Sequence, residues 1–117
     1  MTNTPRDNLI KTRELLATEG KWRQGALLDE NGCMCLLGAI GVATGVIDPD
    51  TFNDAPVDNS AATYEGLSDA EEVTLVRKAI YQDAVYDQTT FVFQWNDKTD
   101  RTHAEVINIL DKAIALA

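Results

Sequence analysis

Apolar residues recur at helical spacing in three stretches of this chain, and each stretch opens on side-chain chemistry that starts a helix. Thr4-Pro5-Arg6-Asp7 sets an N-cap hydroxyl before a proline, with a carboxylate in the first turn. The apolar residues Leu9, Ile10, Leu15 and Leu16 follow, and Gly20 closes a predicted helix of about residues 5–19. Ser68-Asp69-Ala70-Glu71 and Thr102-His103-Ala104-Glu105 are both S/T-x-x-E capping boxes, in which hydroxyl and carboxylate each satisfy a free backbone N–H. The first box predicts a helix over about 69–86, with Val73, Val76, Ala79, Ile80 and Val85 inward. The second predicts one over about 103–116, with Val106, Ile107, Leu110, Ala113 and Ile114 inward.

The segment CMCLLGAIGVATG, residues 33–45, is apolar on every face, which is the pattern of a helix surrounded by others. Gly38, Gly41 and Gly45 fall near one stripe, where another backbone could approach, and Gly45 suits a left-handed helix cap. Before it, residues 26–34 read as a short hairpin turning at Asn31-Gly32. Residues 46–67 carry two of the three prolines and several Asx turn formers, so they read as an acidic surface loop. Thr89 to Trp95 alternates in part, as a short strand or an aromatic-rich connection would. The expected fold is mainly α: four principal helices around a Gly-rich central one, with a small hairpin or extended segments, in a single domain over 1–117.

Composition agrees with a globular chain: 117 residues, 44% hydrophobic and 25% charged, enough for one modest core. The opening MTNTPRDNLIKTRE carries no secretory pattern, and the run from Met34 to Val46 is too short to span a bilayer. A soluble cytoplasmic protein without membrane contact is expected. Cys33 and Cys35 are too few and too close for a disulfide framework, in keeping with a reducing compartment.

Charge changes the picture more. The net charge is −9, and it is unevenly spread. Residues 1–31 hold five acids and five bases, whereas Asp48 to Glu72 hold eight acids and no base. Phosphate would be repelled by such a surface, so no nucleic-acid partner is expected.

Two motif pairs carry a family resemblance. Trp22, Gln24, Gly25 and Ala26 form W-x-Q-G-A, followed by C-x-L-G-A at Cys35, Leu37, Gly38 and Ala39. Trp95-Asn96-Asp97 is followed by Arg101, Thr102, Glu105 and Val106 as R-T-x-x-E-V, then by Leu110, Asp111 and Ala113. In this order they resemble an uncharacterised family of small bacterial and bacteriophage proteins, a domain of unknown function. The resemblance covers roughly half the chain, with residues 46–88 unmatched. It implies no shared catalytic histidine, since the position of His103 accepts other residues in that family.

Candidate chemistry is sparse. Cys35 at a helix start, with His103 as base, Gln24 as oxyanion donor and Asn96 or Asp97 as orienter, would make a Cys–His hydrolase. The chain offers no sheet to hold such a histidine, and the simpler expectation is a buried Cys35 with His103 on the surface beside a cap. On that reading His103 contributes almost nothing to folding. A metal site drawn from Cys33, Cys35, His103 and a carboxylate lacks the usual ligand spacing, and no metal or cofactor is expected. Asp48, Asp50, Asp54 and Asp58 lack the central glycine and closing glutamate of a calcium loop, and read instead as a solvated surface that docks on a basic partner.

Trp22 and Trp95 read as plugs for the two ends of the core, with Asn96 and Asp97 tying the loop to backbone amides as Asx turns. Arg101 is the natural partner of Asp97 or Glu105. Together with Gln24, these residues form the candidate binding set. Three functions follow. The leading one is a small acidic protein, encoded by a phage or mobile element, that binds a host or self protein. The others are a small-molecule sensor with a Trp-lined pocket, and the Cys35 hydrolase. The alanine-rich end AIALA leaves an apolar edge on which a homodimer could form.

Overall fold

A computed structural model of the chain describes residues 4–24, 32–47, 67, 70–80, 92 and 95–117. Among them are four α-helices: α1 (Pro5–Leu16), α2 (Leu36–Thr44), α3 (Glu71–Ile80) and α4 (His103–Leu116). A 3-10 turn, Glu19–Lys21, follows α1. The fold is mainly α, as the periodicity predicts.

Two of the helix starts behave as their side chains dictate. Thr4 Oγ1 accepts the Asp7 N–H at 3.1 Å, and the Asp7 carboxylate accepts the Thr4 N–H at 3.3 Å. Thr102 and Glu105 exchange the same pair of bonds at 3.2 and 3.1 Å. The start of α3 differs. The first intrahelical bond runs from the Thr74 N–H to the Ala70 carbonyl, so Ala70 caps the helix and Glu71 opens it. The predicted cap Ser68 and the predicted continuation to residue 86 lie outside the described residues.

Inward faces follow the expected stripes with corrections. In α1, Leu9 and Leu16 are fully buried, but the residue between them is Thr12. Its hydroxyl donates back to the Asn8 carbonyl at 2.7 Å, which satisfies the polar group inside the helix and lets it pack inward. Ile10, expected inside, is exposed because it falls off the 9–12–16 stripe. In α4, Val106, Leu110 and Ala113 are buried as expected; Ile109 joins them, while Ile107 and Ile114 lie half-buried at the edge.

α2 is buried along nearly its whole length. Among the described residues, α1 and α3 each pack on the other three helices, and α2 rests mainly on α1 and lightly on α3. α3 and α4 pack closely together. Gly45 ends α2 with φ +86°, the left-handed cap its identity predicts. The chain then turns back, and the Ile47 N–H bonds to the Gly41 carbonyl at 3.0 Å. A Cβ on Gly41 would meet Ile47 Cδ1 at 2.5 Å, so that glycine makes room for a side chain rather than for another backbone.

The only β pairing among the described residues is one parallel bridge between Trp22 and Met34. The Met34 N–H reaches the Lys21 carbonyl and the Met34 carbonyl accepts the Arg23 N–H, at 2.8 and 2.9 Å. Most of the hairpin expected over 26–34 lies outside the described residues, and the pairing seen joins different partners. Residues 89–95 read as a short strand or an aromatic-rich connection; of them only Val92 and Trp95 are described, and both are helical.

Candidate functional site

Of the residues singled out by the sequence, Trp22 and Asp97 bond to the side chain of Asn96, and Gln24 to its backbone carbonyl. Asn96 is fully buried, and its amide has four hydrogen-bonding positions, two accepting and two donating. All four are filled. Oδ1 accepts the Trp22 indole N–H at 2.7 Å and the Leu36 backbone N–H at 3.0 Å. Nδ2 donates to the Arg23 carbonyl at 3.2 Å and to Asp97 Oδ1 at 2.9 Å. The Leu36 N–H belongs to the first residue of α2 and has no partner within the helix. An amide sixty residues further along the chain therefore helps to cap α2.

Gln24 secures the loop that carries Asn96. Its Nε2 donates to the carbonyls of Asn96 and Lys98 at 2.9 and 2.7 Å. Arg101 holds the other side. Its guanidinium lies 3.9 Å over the Trp95 ring, Nε donates to the Trp95 carbonyl at 2.9 Å, and Nη1 reaches Glu105 at 2.6 Å. Glu105 is thus Arg101's ion-pair partner, and the two alternatives left by the sequence resolve to this one. The Glu105 carboxyl is held below its ordinary pKa of 4.5, first by the Arg101 bond and then by the Thr102 N–H.

Trp22, Gln24, Trp95, Asn96, Asp97 and Arg101 thus form one clasp joining the segments before α2 and before α4. The two tryptophans do not plug opposite ends of the core; both border this clasp and pack half-buried against the core. Asn96 does tie the loop to a backbone amide, but the amide is on α2 and not in a local Asx turn. With all four amide positions filled within the protein, the clasp leaves Asn96 no bond to offer a ligand.

Cys35 is the N-cap of α2. Its Sγ accepts the Gly38 N–H at 3.3 Å, and the residue is fully buried. Burial pushes the thiol up to about 12; the Gly38 bond opposes this and the Asp97 charge adds to it. A thiol so placed is neutral near pH 7 and closed to substrate, the reverse of an activated nucleophile. Cys33, half-buried, directs its Sγ at the Gly20 carbonyl, 3.1 Å away.

His103 is the first residue of α4, as the capping box predicts. Its side chain is not idle, though. Nε2 lies 2.6 Å from the Leu16 carbonyl in the last turn of α1, so the Nε2–H tautomer caps that helix end. The expectation of a surface histidine without a structural role is corrected here. No hydrogen bond links His103 to Cys35, since each ring or thiol contact goes to backbone.

His103 also borders a shallow groove of about 350 Å³ between α1 and α4, lined by Arg13, Ala17, Ile107, Asn108 and Asp111. Arg13 Nε and Asp111 Oδ1 form an exposed ion pair across it at 2.7 Å. The two helices run antiparallel, because Leu16 meets His103 while Arg13 meets Asp111. The 98-residue separation of that pair gave no sequence signal for the groove.

Among the described residues, no three His, Cys, Asp or Glu side chains group where they could hold a metal ion. No described helix is long and apolar enough to cross a membrane. Asp48, Asp50, Asp54 and Asp58 lie outside the described residues.

The model of a family of unknown function, DUF6197, matches residues 1–116. No curated protein and no solved structure matches the chain. The chain belongs to the DUF6197 family, a family of unknown function, in keeping with the expected membership of such a family.

Proposed function

We propose that this chain is a small acidic cytoplasmic protein that acts by binding another protein through a basic face on that partner. The observation that carries the reading is the run of eight acids without a base between Asp48 and Glu72, in a chain of net charge −9. Such a run has no compensation within itself and favours a cationic surface over bulk water or a phosphate. A second line of support comes from the polar side chains elsewhere. Asn96, Gln24, Arg101, Cys35 and His103 all bond within the chain, and their bonds hold helices and loops together. They resemble a scaffold for a surface more than the lining of a reaction site.

The test is an affinity capture from cell lysate on the immobilised protein, beside a variant carrying Asp48→Asn, Asp50→Asn, Asp54→Asn and Asp58→Asn. The expected result is one protein with a basic surface, retained at low ionic strength. It should be released as the Debye length falls below about 8 Å, and the variant should not retain it. A partner held equally by the variant, or with no response to salt, overturns the reading.

A further inference from the structure

We draw no further inference here: the strongest candidate, the shallow groove between α1 and α4 lined by Arg13, His103, Ile107, Asn108 and Asp111, pairs Arg13 with Asp111 and turns His103 Nε2 to the Leu16 carbonyl, and nothing in the structure shows what covers it.

Discussion

Asn96 illustrates how much one buried amide can decide. Replacing it with alanine would remove its bonds to the Trp22 and Leu36 N–H groups and to the Arg23 carbonyl. The Leu36 N–H is buried, and losing its acceptor costs about 1–3 kcal/mol, while each half-buried bond is worth about 0.5–1.5 kcal/mol, so Asn96→Ala should lose about 2–4 kcal/mol. Asn96→Asp keeps the shape but turns both donors into acceptors facing the Arg23 carbonyl and Asp97. It should therefore be destabilised nearly as much, as read from urea midpoints at pH 7. An Asn96→Asp midpoint equal to wild type would remove the clasp as a stabilising element. Cys35 supports a second prediction at this scale. Iodoacetamide at pH 8 should label the half-buried Cys33 but not the fully buried Cys35 in the native protein, and both after unfolding. Peptide mapping distinguishes the two sites, and rapid native labelling of Cys35 would restore it as a nucleophile.

At the scale of the helix, Thr102 and His103 are neighbours with separate duties. Thr102 caps α4, to which it belongs, and Thr102→Ala should cost about 1 kcal/mol. His103 caps α1 from the first turn of α4, and its bond to the Leu16 carbonyl satisfies a group that α1 leaves open. His103→Ala should cost about 0.5–1.5 kcal/mol, the usual net value of such a bond. Thermal unfolding of the two single variants and the double variant tests the division. The two costs should add within about 0.5 kcal/mol if the caps serve different helices independently. A His103→Ala protein as stable as wild type would return the side chain to the role of a bystander. Capping by a neighbour also explains why α1 stops at Leu16 and not near Gly20. The Ala17 N–H bonds to Glu14 in a tightened last turn, and the imidazole takes the Leu16 carbonyl.

The whole molecule carries a charge that opposes its own compactness. With net charge −9 and an isoelectric point near 4.4, self-repulsion acts on the folded state more than on the expanded one. Sodium chloride at physiological strength should therefore raise the thermal midpoint above its low-salt value, by roughly 3 °C, or about half a kcal/mol for a domain of this size. The variant with asparagine at positions 48, 50, 54 and 58 should respond less, because four of those charges are gone. Equal salt responses in both proteins would mean that the run from Asp48 to Glu72 is compensated elsewhere in the chain.

Local chemistry was legible in the sequence wherever neighbouring residues sufficed to specify it. Thr4 with Pro5 and Asp7, Thr102 with Glu105, and Gly45 after its apolar run each name a helix end, because a cap is made within three or four residues. The mainly α class and the burial of α2 came from periodicity and apolar density in the same way. The sequence also singled out Trp22, Gln24, Trp95, Asn96, Asp97 and Arg101 as belonging together. What they do was decided only by the fold. Asn96 caps a helix sixty residues away, His103 caps one 87 residues away, and Arg13 pairs with Asp111 across 98. None of these pairings has a local signature, since each depends on which helices lie side by side. The packing of α1 and of α3 on each of the other described helices is of the same kind. An apolar pattern shows which face of a helix is buried, but the partners it is buried against are chosen by the packing of the whole chain.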